Sequence, residues 1–168
     1  TFYFLLFTFS MILAIDIGGT QFGLILATTD GQVVKHLQRS TDRAGGAQWM
    51  IEQIISESRT LIQQSSKPVL ACGIGFGGPV NFDTQHIINS THVKGWDNCP
   101  LPQIITQELN LPAIVDNDAN VGALGEFAFG AGKSNANLVY YTISTGIGGG
   151  IIINGQIYRG PIRRDEWK

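Results

Sequence analysis

Apolar positions fall into short blocks separated by glycine, proline and small polar residues, and the spacing within each block assigns its structure. Met11–Ile17 is apolar except for Asp16 near its end, which predicts a buried strand. Phe22–Thr28 forms a second apolar block, and Gly18-Gly19-Thr20 between them predicts an antiparallel pair joined by a tight turn. Asp30-Gly31 is a hairpin signal because both residues tolerate positive φ, so Gln32–Gln38 is read as a third strand. After Gly45-Gly46 the period changes from two to 3.6. Ile51, Ile54, Ile55, Leu61 and Ile62 fall on one stripe of a helix over Gln48–Gln64, with Glu52, Glu57 and Arg59 outside it.

Val69–Gly75 is short and apolar throughout, as for a strand covered on both faces. Pro102–Leu109 predicts a short helix, Ala113–Val115 a strand, and Asp118–Phe129 a helix opened by Asp116-Asn117-Asp118. Leu138–Ser144 and Gly149–Ile153 flank Thr145-Gly146-Ile147-Gly148 as a second strand–glycine–strand unit. The order β-β-β-α-β-α-β-α followed by β-β predicts a mixed α/β sheet with right-handed crossovers in its parallel part. It also predicts two domains, residues 11–117 and the start of a similar second one over 118–168.

Residues 1–10 (Thr-Phe-Tyr-Phe-Leu-Leu-Phe-Thr-Phe-Ser) carry neither a cationic leader nor a small-residue cleavage site. With the following strand they are shorter than the ~20 residues that span a bilayer. They are read as translated upstream sequence outside the fold; a membrane anchor is the alternative.

Composition adds a few limits. The chain has 168 residues, 43% hydrophobic, with 21 glycines concentrated in the turns. Eleven Lys and Arg against 13 Asp and Glu, with no basic run, argue against a nucleic-acid partner. Cys72 and Cys99 make no CxxC pair, which points to reduced thiols and a cytoplasmic location.

The glycine turns carry the chemistry. A phosphate oxygen needs several backbone N–H groups at close range, and a Cβ would obstruct it. Gly18, Gly19 and Thr20 offer bare backbone and one hydroxyl; Thr145, Gly146 and Gly148 offer the same in a longer turn. Neither fits the Walker pattern, and each alone could be a hairpin that needs glycine for shape. Asp16 closes the first strand beside its turn. A carboxylate next to a phosphate site calls for a cation between them, so Asp16 is a candidate Mg²⁺ ligand through water, or else a solvated strand-end cap.

Between the turns lies Asp116-Asn117-Asp118. Asp118 could accept a proton from a sugar hydroxyl during phosphoryl transfer, and Asn117 could hold a neighbouring diol. The same residues would also cap a helix N-terminus, and spacing alone does not choose. Gly77 and Gly78, in Gly73-Ile74-Gly75-Phe76-Gly77-Gly78-Pro79, follow a strand where bare backbone admits a ligand or serves packing. His86, His92 and Trp96 lie nearby; a loop histidine is commonly solvated, and Trp96 could stack on a sugar or simply pack.

With these motifs together, residues 11 to about 160 resemble the amino-terminal part of the ROK family (repressor, open reading frame, kinase) of the actin/hexokinase superfold. Asp16-Ile17-Gly18-Gly19-Thr20 and Ser144–Gly150 match its two phosphate motifs. Gly75–Val80 and Lys94-Gly95-Trp96 match its substrate-side loops, and Val115–Asn120 its catalytic segment. The resemblance implies an actin/hexokinase-like (ribonuclease H-like) α/β fold and ATP-dependent phosphorylation of a hexose, glucose or an N-acetylhexosamine. It implies that Asp118 is the general base, that Asn117, Gly77 and Gly78 lie on the sugar side, and that the complete protein forms a homodimer or larger assembly. A non-catalytic sugar-sensing regulator and an actin-like ATPase are the competing readings. After Gly160 the sequence leaves the family pattern: Glu166 stands near the expected sugar-binding glutamate without its glycine and histidine, and the zinc motif is absent. A frameshift or gene fragment is the expectation, with the chain by itself inactive or nearly so.

Overall fold

The computed structural model describes residues 10–143 and 147–160. Expectations for residues 1–9, for Thr145 and Gly146, and for Glu166 fall outside that range. By its contacts the chain divides into two compact units, Thr1–Asp118 and Ala119–Lys168.

The first unit is built on a five-stranded sheet. Its strands are β1 (Met11–Ile17), β2 (Gln21–Thr28), β3 (Val33–Ser40), β4 (Val69–Phe76) and β7 (Ala113–Asn117), ordered β3-β2-β1-β4-β7. The three meander strands pair antiparallel, whereas β1–β4 and β4–β7 run parallel. Between β4 and β7 lie β5 (Val80–Asn81) and β6 (His86–Ile87), a two-residue pair that the apolar pattern does not announce.

Alternation along β1 sends Met11, Leu13, Ile15 and Ile17 to one face, where all four are buried. The register aligns Leu13, Ile15 and Ile17 with Cys72, Ile74 and Phe76 of β4. Helices α1 (Gly46–Gln63) and α2 (Leu101–Leu109) close this face with Met50, Ile54, Leu61, Leu101 and Ile105, in one continuous core. Leu13, Leu24, Met50 and Ile54 are fully buried, each contributing roughly 1.5–3 kcal/mol of transfer free energy. Trp96 joins them, 1% exposed, its ring meeting Phe76 edge-on at 5.1 Å. Of its two predicted roles, packing is therefore the one observed.

Helix α1 begins two residues earlier than its apolar stripe indicates. Gly46 adopts φ +69°, and the next residue donates from Ala47 N to Lys94 O at 2.9 Å. That bond ties the helix start to the loop carrying His92 and Trp96. Strand β7 also runs two residues beyond its apolar part. Asp116 and Asn117 pair with Gly75 and Phe76 in the parallel ladder. Asp118 is the first residue of α3 (Asp118–Ala128).

The second unit contains the rest of α3 and the antiparallel sheet β10-β9-β8, formed by β8 (Leu138–Ile143), β9 (Ile147–Ile153) and β10 (Gln156–Ile157). The helix lies close on one sheet face. A Cβ on Gly150 would stand 2.4 Å from Ala119 O, and one on Gly122 would stand 2.7 Å from the Tyr140 ring. The other face exposes Val139, Tyr141, Ile143, Ile147, Ile151 and Ile153.

Candidate active site

The parallel strands β1, β4 and β7 end together, and their register lines up Asp16, Gly75 and Asp116. The candidate residues of the first unit gather at this carboxyl edge, where parallel α/β sheets present ligand sites.

The turn Gly18-Gly19-Thr20 is closed by Gly18 N donating to Gln21 O at 2.9 Å. A Cβ on Gly19 would stand 2.6 Å from His92 Cβ, so only glycine allows the His92 loop to approach this closely. Behind the turn, the Thr41 hydroxyl donates to Gly18 O at 3.3 Å and Arg43 Nε donates to Gly19 O at 2.9 Å. The chain crosses to β4 through Gly77 N, which donates to Ile17 O at 2.8 Å.

Gly77 is the geometric centre of the group. A Cβ there would lie 3.2 Å from Ile17 O, 3.5 Å from Asp118 Oδ2 and 3.7 Å from Gly18 Cα. The Gly18-Gly19-Thr20 turn, the Gly77-Gly78 loop and Asp118 thus converge on one bare Cα. Asn117 Nδ2 donates to Gly78 O at 3.0 Å, so this side chain holds the loop in place. Gly78 is hemmed in by the Phe76 ring at 2.8 Å from its would-be Cβ. Asp116 is buried, and its Oδ1 accepts from Asn117 N at 2.8 Å, fixing the strand-to-helix junction on which Asp118 stands.

Electrostatics point the same way. Desolvation, followed by the negative charge of Asp118, holds the Asp16 carboxyl above the ordinary aspartate range. Two carboxylates this close repel, and a cation beside them would relieve the repulsion. Among the described residues no group of three or more His, Cys, Asp or Glu is placed to cage a metal. The residues fit a different arrangement, a Mg²⁺ held through water by one or two carboxylates and by the phosphates of a substrate, since that ion keeps much of its water shell.

The other candidates sort as follows. Gly148 lies within β9 opposite Thr142, where a Cβ would meet Thr142 Cγ2 at 2.9 Å. Close strand packing thus already accounts for its missing side chain. His86 turns back on its own loop, Nδ1 lying 2.6 Å from Thr84 O. Thr41 and Arg43 carry no sequence signal because their partners are backbone carbonyls. Both cysteines are buried and free, and burial pushes the Cys72 thiol up to about 12. No helix among the described residues is long and apolar enough to cross a membrane.

Known proteins resemble this chain in sequence and in fold. Residues 12–163 match the model of the ROK family. A glucokinase of Halalkalibacterium halodurans is 37% identical over 150 residues, which are 87% of this chain and 45% of the relative. A xylose repressor of Caldicellulosiruptor bescii is 32% identical over 153 residues, 89% of this chain and 38% of the relative. The crystal structure of a ROK family glucokinase from Streptomyces griseus, in complex with glucose and AMPPNP, superposes with a TM-score of 0.81 at 30% identity. That match covers 90% of this chain and 47% of the other. A ROK hexokinase from Thermus thermophilus superposes with a TM-score of 0.78 at 26% identity. The chain therefore spans between 38% and 49% of the length of these relatives and carries the mixed-sheet fold of the hexokinase and actin-like group. By motif order, by sheet topology and by a match spanning nearly all of its length, it belongs to the ROK family.

Proposed function

We propose that this chain supplies the sugar-side half of an ATP-dependent hexose kinase acting on glucose or an N-acetylhexosamine. The observation that carries the reading is the convergence on Gly77. Asp118, the phosphate turn and the Asn117-held loop meet there with no side chain between them. The kinases among the relatives support it, including one solved with glucose and an ATP analogue.

In this reading the Gly78 loop and Asn117 fix the sugar so that one hydroxyl faces Asp118. The Asp118 carboxylate accepts the hydroxyl proton as the sugar oxygen bonds to the γ-phosphorus of ATP and the bond to ADP breaks. Backbone N–H groups of the Gly18-Gly19-Thr20 turn receive the charge on the phosphoryl oxygens. Thr145, Gly146 and Gly148 enter the proposal as phosphate-binding residues of the second unit, by their resemblance to the family's second phosphate motif. Asp16 is the residue that would hold Mg²⁺ through water, and that ion would neutralise phosphate charge. A cytoplasmic location and a homodimer belong to the same proposal, given such substrates.

An ADP-release assay over a hexose panel tests it, run on the 168-residue chain alone and mixed with the carboxyl-terminal half of the H. halodurans glucokinase. The expected result is hexose-dependent turnover in the mixture that falls by about 10²–10⁴ in Asp118→Asn, the usual worth of a general base, with sugar affinity kept. Unchanged turnover in Asp118→Asn would remove Asp118 as the base. The xylose repressor similarity favours a second reading, a sugar-binding regulator. Sugar binding without turnover in either preparation would favour it.

A further inference from the structure

The first phosphate turn is held from behind, and the way it is held determines where its N–H groups point. In a planar trans peptide the C=O and the following N–H point in opposite directions. The peptide joining Gly18 to Gly19 has its oxygen taken by the Thr41 hydroxyl at 3.3 Å. The next peptide, Gly19 to Thr20, has its oxygen taken by Arg43 Nε at 2.9 Å. Thr41 N also donates to Thr20 O at 2.9 Å, which fastens the segment carrying both side chains to the turn. With two successive carbonyls drawn to one side, the Gly19 and Thr20 N–H groups face the other. Among the described residues no oxygen accepts from either of them. Consecutive N–H groups turned the same way and left unpaired form an anion-binding nest.

We propose that Arg43 is a positioning residue for phosphate. Its Nε–H anchors the Gly19 carbonyl, and this aims the Thr20 N–H, beside that of Gly19, at a phosphoryl oxygen. Thr41 does the same for the preceding peptide. The inference rests on the reading of this turn as a phosphate site. Arg43 acts through the backbone it holds, not through its charge.

The chemistry of the side chain makes the distinction testable. Glutamine has its Nε2 the same number of bonds from Cα as the Nε of arginine, so Arg43→Gln keeps a donor for Gly19 O and loses the charge. Arg43→Met keeps the length and loses both. The probe is inorganic tripolyphosphate with Mg²⁺, titrated into the ¹⁵N-labelled chain and read by the Gly19 and Thr20 amide shifts. Arg59→Ala, which removes an equal charge from the remote pair with Glu108, is the control.

The expected result is wild-type binding that weakens about tenfold in Arg43→Met, the size of a lost hydrogen bond at a charged site. It stays within about threefold in Arg43→Gln and is unchanged in Arg59→Ala, with both amides shifting on saturation. Equal losses in the Met and Gln variants would make charge the cause and overturn the positioning role. Equal binding by wild type and Arg43→Met would overturn it too, leaving the phosphate turn itself standing. No binding by the wild-type chain would overturn the phosphate reading of the turn, and this inference with it.

Discussion

At the scale of single residues, the site holds a tension between folding and chemistry. Asp16 has its carboxyl raised above the ordinary range, first by desolvation and then by Asp118. A carboxyl raised in the folded state binds its proton more tightly there than in the unfolded chain. Stability is therefore lost as pH rises through the raised value and is regained below the unfolded one. Asp16→Asn removes this loss. The variant should melt above wild type at pH 7 without metal, by a margin that solvent screening keeps small because Asp16 is exposed at the strand end, and the difference should close as pH falls below the carboxylate range. Melting curves between pH 3.5 and 7 check both points; a lower melting temperature for Asp16→Asn at pH 7 would contradict the electrostatic account. The same variant should lose any Mg²⁺-dependent phosphate binding. Asp16, Asn117 and Asp118 stood out in the sequence by type and spacing, although the carbonyl that Asn117 meets did not. Thr41 and Arg43 did not stand out at all. Thr41 and Arg43 meet carbonyl oxygens, and no residue pattern encodes a carbonyl's direction.

At the scale of elements, the apolar blocks gave the strands and helices, and the misplacements have definite causes. Strand β7 outruns its apolar stretch because Asp116 and Asn117 are held by main-chain pairing to Gly75 and Phe76, which tolerates polar side chains. The β5–β6 pair escapes notice because two residues are too few to show a period. Helix α1 contains a further departure. Ser58 lies on its buried stripe with 0% exposure, and its hydroxyl has no hydrogen-bond partner among the described residues. A buried unsatisfied hydroxyl costs about 1–3 kcal/mol, and alanine is the better helix former. Ser58→Ala should therefore stabilise the chain by about 1 kcal/mol, raising the melting temperature by about 2–4 °C. Calorimetry or urea titration would show it, and a destabilised variant would mean that packing around the oxygen outweighs its missing bond.

At the scale of the whole molecule, the two units differ in how well they cover their apolar surface. The first encloses a continuous core under α1 and α2. The second leaves one sheet face open, where Val139 opposes Ile151 and Ile143 opposes Ile147 across the strands; the last two are 78% and 80% exposed. Apolar ladders of this kind drive association. The isolated chain should self-associate at micromolar concentration, and a Val139→Thr, Ile151→Lys double variant should reduce this severalfold by light scattering. A monodisperse wild-type monomer would contradict it. The candidate site, by contrast, draws Asp16, Gly77, Asn117 and Asp118 from the well-covered unit. Their mutual geometry is set by parallel strands whose presence was visible in the sequence and whose register, with the far end of β7, was not.

Both cysteine thiols of the chain lie inside that well-covered unit, shielded and with their protons held firmly. Maleimide or iodoacetamide reagents would thus find a silent background. One engineered surface cysteine, set on the His92 loop or at the edge of β3, would carry a fluorophore or spin label alone, and the approach of a sugar could be followed in real time.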